Sequence, residues 1–99
     1  MAKKDQKDSG EDLLAISLGR CIEKHRTAAD LSMSKLASSA GMARAYLWRV
    51  EQGAMLPNLR NIARIAVALD VPIHRLLEGL DVSEVELANR EYSDSKPER

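Results

Sequence analysis

The run Leu31-Ser32-Met33-Ser34-Lys35-Leu36-Ala37, then Gly41-Met42, then Leu47-Trp48-Arg49-Val50-Glu51-Gln52-Gly53 and Pro57, constrains the fold more than any other part of this chain. Its apolar positions recur at helical spacing and are interrupted twice by glycine, the residue that tolerates positive φ. The pattern predicts a short helix, a tight turn at Gly41 and a second short helix closed by Gly53. Within the second helix Arg44, Ala45, Trp48 and Arg49 share one side, while Leu47 and Val50, extended by Met42, share another. Two short helices packed through one face, with arginines on the bare face of the second, have the dimensions to enter a DNA major groove.

Composition excludes much else. A chain of 99 residues holds one domain, without room for a large enclosed pocket. Hydrophobic residues make up 44% of it, yet Tyr46, Trp48 and Tyr92 are the only aromatics, which suits a cluster of closely packed aliphatic helices. Cys21 has no partner for an internal disulfide and fits a reducing compartment. Lys3, Lys4 and Lys7 are interrupted by Asp5, Asp8, Glu11 and Asp12, and no apolar run of signal or membrane-spanning length follows, so a cytoplasmic location is expected. His25 and His74 stand far apart, and no cysteine or carboxylate cluster has zinc-ligand spacing. Catalytic triads, phosphate-cradling glycine loops and paired acids are not evident. The expectation is no metal, no cofactor and no enzyme activity.

The formal net charge is zero, but its distribution is not even. Residues 17–65 carry Arg20, Lys24, Arg26, Lys35, Arg44, Arg49, Arg60 and Arg64 against Glu23, Asp30 and Glu51, a net of +5. Residues 66–99 net −4 and residues 1–16 net −1. A basic module between acidic ends is an electrostatic footprint for nucleic acid that the whole-chain sum conceals.

Periodicity gives helices and no strand. Leu14, Leu18, Cys21, Ile22 and His25 predict a first helix over about 12–26, preceded by Ser9 as a weak start signal. Ser32 is the expected N-cap of the second helix; the third should run over about 44–52. Asn58 caps a fourth, whose stripe is Leu59, Ile62, Ala63, Ala66 and Leu69. Pro72 opens a fifth, with Ile73, Leu76 and Leu77 inward before Gly79. Ser83 and Glu86 form a capping-box pattern for a sixth over about 84–90. The expected organisation is a flexible tail over 1–10, a helical domain over 11–80, and an extension over 81–99 that frays from Tyr92.

With these elements placed, the chain resembles the Cro/C1-type, or XRE, lambda-repressor-like helix-turn-helix family over about Leu18 to Gly79. The resemblance rests on Arg26 five residues before Leu31, Leu36-Ala37, Gly41, Tyr46-Leu47 with Arg49-Val50-Glu51, Gly53, Pro57-Asn58-Leu59, and Ile65-Ala66 with Ala68-Leu69 and Val71. It implies an all-α, compact five-helix DNA-binding domain read out through helices two and three. It also implies a structural ion pair between Arg26 and Glu51. Met33 stands where members often have glutamine, Ala43 where Ser or Thr is favoured, and Trp48 where a small or polar residue is common.

The candidate DNA-binding residues are therefore Arg44, Ala45, Trp48 and Arg49 on the third helix, with Ala43, Met33, Ser34 and Asn58 at the helix starts around it. Arginine's planar fork can donate to O6 and N7 of guanine together, and the Ala45 methyl suits a thymine methyl. One such helix reads only a few base pairs, so a regulator of this kind needs two copies on a palindromic operator. The segments available for that twofold contact are helix five and the Leu80–Tyr92 extension, whose Leu80, Val82, Val85 and Leu87 offer apolar surface either for it or for folding back on helix one. The alternative function is a protein-interaction or antitoxin-like partner that keeps the fold and uses its surfaces for another protein.

Overall fold

The structure, a computed structural model, describes residues 12–87. Among these residues it is all-helical: α1 (Leu13–Ala28), α2 (Met33–Ala40), α3 (Arg44–Glu51), α4 (Leu59–Leu69) and α5 (Ile73–Leu77). Local chemistry starts most of them. The side chains of Asp12, Ser32 and Asn58 accept from the backbone N–H of Ala15, Lys35 and Asn61, at 3.1, 3.0 and 2.8 Å, closing the first turns of α1, α2 and α4. Ser9 lies outside the described residues.

The helix ends share one device. After α1, α2, α3 and α4 the residue in the left-handed region is Asp30, Gly41, Gly53 and Asp70 respectively. The next residue's N–H reaches back to a carbonyl five residues earlier: Leu31 to Arg26, Met42 to Ala37, Ala54 to Arg49 and Val71 to Ala66, all at 2.9–3.1 Å. Leu31, Met42 and Val71 then pack on the core, the hydrophobic contact that accompanies such a turn. Aspartate replaces glycine at two of these four ends. With Asp30 as its left-handed residue, α1 runs to Ala28, beyond the expected end near Arg26.

Leu18 and Ile22 of α1, Leu36, Ala37 and Ala40 of α2, Leu47 and Val50 of α3, Ile62, Ile65, Ala66 and Leu69 of α4, and Leu76 of α5 form one buried cluster. Each large aliphatic side chain withdrawn from water contributes about 1.5–3 kcal/mol. The α4 stripe differs from the expected one. Ile65 is fully buried, whereas Leu59, in the first turn before the helix reaches the cluster, is 66% exposed. In α5, Leu76 alone is buried and Leu77 faces solvent.

Two glycines allow α1 to lie directly on the end of α3. A Cβ on Gly19 would stand 2.5 Å from the Val50 carbonyl oxygen and 2.6 Å from that of Glu51. One on Gly53 would stand 2.6 Å from Cγ1 of Ile16. Backbone meets backbone at Gly19, so nothing there can swing aside.

The expected sixth helix is a correction. Residues 84–87 are not helical, and 88–90 lie outside the described residues. Asp81 accepts both the N–H and the hydroxyl of Ser83, at 3.0 and 2.5 Å. This local turn spends the Ser83 hydroxyl on the preceding chain instead of the next helical turn. The two readings of the extension divide along it. Leu80 packs on the core and the Asp81 N–H donates to Ser17 Oγ at 2.9 Å, while Val82, Val85 and Leu87 remain exposed.

Replacing Gly19 by alanine gives a diagnostic sign. At an open helical site the change should stabilise by about 1 kcal/mol. Here the added methyl forces α1 off α3, at a cost of about 1–3 kcal/mol. Thermal or urea unfolding of Gly19→Ala should show destabilisation; a rise in stability would mean that the two helices do not meet this closely.

Candidate nucleic-acid interface

α3 is held from below and bare above. Leu47 and Val50 are fully buried, and Met42 is half-buried against the same cluster. Arg44, Ala45 and Arg49 are exposed, and Trp48, on the same side, is 48% exposed. The indole therefore lies outside the core. The start of α3 has no side-chain cap, because Ala43 supplies no acceptor. Its first N–H groups and the Arg44 guanidinium thus present donors at one helix end. A positive side chain there is unfavourable for the helix dipole until an anion arrives.

The remaining candidates surround this face unevenly. Ser34 is exposed in the first turn of α2. Met33 beside it turns its thioether into partial contact with the core. Asn58 is exposed, with Oδ1 engaged as the cap of α4. Ala43 is exposed at the α2–α3 turn.

An ion pair fixes the far end of α3. Arg26 Nε donates to Glu51 Oε2 at 2.7 Å and Nη2 to Oε1 at 3.0 Å, while Nη1 donates to the Leu31 carbonyl at 2.9 Å. The Glu51 side chain is only 2% exposed. Its bidentate hydrogen bonding raises the Arg26 guanidinium above its already high value. A carboxylate at the C-terminal end of a helix opposes the dipole, and Arg26 supplies the compensating charge.

A second tie lies beyond the reach of sequence patterns. Asn61 Nδ2 of α4 donates to the Tyr46 hydroxyl of α3 at 3.0 Å, and Arg64 Nη1 donates to Asn61 Oδ1 at 3.3 Å. Tyr46 thereby joins the exposed helix to α4, across a span of sequence that no local spacing rule covers. Cys21 has a structural setting: its thiol donates to the Arg75 carbonyl at 3.4 Å, and burial raises its pKa. No group of three or more metal-binding side chains occurs among the described residues.

Two short helices joined at Gly41, the second displayed outward on a three-sided helical support, define a helix-turn-helix domain. Residues 17–78 match the family described as "Helix-turn-helix domain", and the chain belongs to the Cro/C1-type (XRE) helix-turn-helix family. It is 32% identical over 68 residues to the HTH-type transcriptional regulator SinR of Bacillus licheniformis, a match covering 68% of this chain and 61% of that protein. Among solved structures it resembles the restriction-modification controller protein C.AhdI of Aeromonas hydrophila, with 35% identity and a TM-score of 0.62 over 63% of this chain and 94% of that one. It also resembles SinR, a master regulator for biofilm formation, solved in complex with DNA. That match has 32% identity and a TM-score of 0.59, over 62% of this chain and 98% of that one.

The Arg26–Glu51 pair makes a quantitative forecast. Arg26→Ala or Glu51→Ala alone leaves the other charge without its partner and should cost about 3–5 kcal/mol. The double variant should lose much less than the sum. Additive losses in urea unfolding would show that the two charges are not energetically coupled.

Proposed function

We propose that this chain is a sequence-specific DNA-binding transcriptional regulator that binds a palindromic operator as a homodimer, with α3 in the major groove. The observation that carries the reading is the two-sidedness of α3: Leu47 and Val50 wholly buried, Arg44, Ala45, Trp48 and Arg49 displayed together. The basic balance of residues 17–65 supports it, as does the likeness to SinR, which has been solved with DNA.

In this reading Arg44 and the uncapped N–H groups of α3 meet phosphate or the first base edge, and Arg49 reads a base further along. Ala45 contacts a thymine methyl, and Trp48 packs its ring on sugar or a thymine methyl. Ser34, Asn58 and the backbone at Ala43 approach the flanking phosphates, with Met33 supporting the start of α2 from beneath. Action in the cytoplasm accords with the unpaired Cys21, and no described helix is long and apolar enough to cross a membrane.

Selection of binding sites from random duplex DNA tests the whole reading. A recovered palindrome with half-sites about one helical turn apart supports it. No enriched sequence, together with a protein partner that shields Trp48, would favour the protein-interaction alternative.

Trp48, the only tryptophan, reports on the interface directly. Free protein should show solvent-exposed emission and ready acrylamide quenching, and operator DNA should reduce that quenching. Quencher-resistant emission that DNA leaves unchanged would reject the contact. Trp48→Ala should keep the fold and weaken binding. Arg44→Ala or Arg49→Ala should cost about 1–3 kcal/mol and relax base preference, or, where the contact is phosphate, reduce the salt slope by about one.

Dimerisation has its own test. Truncation after Asp81 keeps Leu80 and the Ser17 contact but removes the exposed Val82, Val85 and Leu87. The shortened chain should sediment as a folded monomer with poor operator binding. An unchanged dimer would place the twofold contact elsewhere.

A further inference from the structure

A shallow groove runs between the C-terminal end of α2 and the outer face of α4, floored by Ala40 and Ala63 and edged by Ser39, Arg60, Arg64 and Val67. Val67 is 79% exposed, a large apolar side chain facing water beside two arginines. Arg64 rests on Asn61, and both arginines lie on the solvent side of the helix. The extension that follows α5 has the complementary character: Val85 and Leu87 interleaved with Glu84 and Glu86, all exposed, with Leu87 at 90%.

We propose that this groove receives the Glu84–Leu87 segment of a second copy of the chain, exchanged reciprocally about a twofold axis. The inference rests on the homodimer reading above and names the surface that closes it. Spacing supports the fit as well as charge. Residues four apart on a helix advance about 6 Å, and residues two apart on an extended segment advance about 6.7 Å. Glu84 belongs to the turn closed by the Val85 N–H on the Val82 carbonyl at 3.1 Å, and beyond it Val85 and Leu87 can lie along Ala63 and Val67 with Glu86 beside the two arginines.

Topology favours exchange between copies. The extension leaves the domain beside α1, where Asp81 bonds Ser17 and Val85 lies near Leu13 and Leu14. The groove belongs to α2 and α4, and α2 packs mainly on α3 and α4 instead of on α1 or α5. Reciprocal exchange uses each groove once and leaves no open surface for further growth, as a twofold assembly requires.

Sedimentation of the full chain without DNA tests this by charge exchange. Arg60→Glu/Arg64→Glu and, separately, Glu84→Arg/Glu86→Arg should each weaken the dimer by about tenfold or more, because like charges then meet twice per assembly. Carrying all four substitutions in one chain should restore most of the affinity. Circular dichroism checks folding; should a reversed pair misfold, Val67→Ser in the exposed face should weaken the dimer in the same direction. A dimer untouched by the α4 substitutions, yet lost on truncation after Asp81, would overturn the groove as acceptor while leaving the homodimer intact. Failure of the fourfold variant to recover would likewise overturn it. A wild-type chain that sediments as a monomer at every concentration would remove both.

Discussion

The arrangement of this domain depends on the three hydrogen bonds of the Arg26 side chain. Two grip the buried Glu51 carboxylate at the end of α3, and the third holds the Leu31 carbonyl at the entry to α2. Arg26 is also the residue whose own carbonyl accepts the Leu31 N–H that ends α1. One residue thus fixes the last turn of α1, the chain leading into α2 and the end of α3. A charge placed so deeply needs all of these partners, since loss of any leaves desolvated groups unsatisfied. The close approach of Gly19 to the Val50 and Glu51 carbonyls brings the elements near enough for the pair to form. Packing and electrostatics are here one constraint, and α3 inherits its angle from both.

A helix so anchored can carry locally unfavourable features on its outer face. α3 is eight residues long, lacks a side-chain cap, starts with arginine and ends with glutamate. Alone in water such a helix would be marginal or unfolded. The buried Leu47 and Val50, the Tyr46–Asn61 hydrogen bond and the Arg26 pair stabilise it from three other elements. The exposed positions are consequently free of structural duty. Side chains there are not constrained by core packing, so an apolar ring at position 48 can stand in water.

The sequence was legible where chemistry is local. Ser32 and Asn58 as caps, Gly41 and Gly53 as left-handed turns, and the inward Leu36, Ala37, Leu47 and Val50 all follow from spacing within a turn or two. Reading failed where a residue type permits more than one outcome. Asp30 and Asp70 take the left-handed conformation that glycine usually signals, so residue type alone does not mark the end of α1. Ser83 followed by Glu86 reads as a helix start, but Asp81 offered a nearer acceptor. Gly19 gave no signal, because a glycine inside a helix announces neither what faces it nor how close it lies. The Tyr46–Asn61 contact was invisible for a related reason: it joins two helices through the fold alone. At the candidate interface, the sequence assigned the faces of α3, and the structure added that Met33 leans into the core while Ser34 does not.

Charge segregation completes the physical picture. The whole chain is formally neutral, yet a bound phosphate would not experience that sum. At physiological salt the screening length is about 8 Å, whereas an eleven-residue helix such as α4 is about 16 Å long. A group at α3 therefore senses mainly its own neighbours, among them the exposed Arg44 and Arg49. Neutrality overall lowers long-range attraction to any polyanion and leaves short-range attraction intact. The balance leaves the local charge of each surface, and not the sum over the chain, to decide what that surface attracts. It also makes the acidic extension more than ballast: an exposed segment alternating acid and aliphatic residues is suited to a basic, apolar groove. In that arrangement the same segregated charges would separate the two surfaces of the domain, one turned toward phosphate and the other toward a second copy.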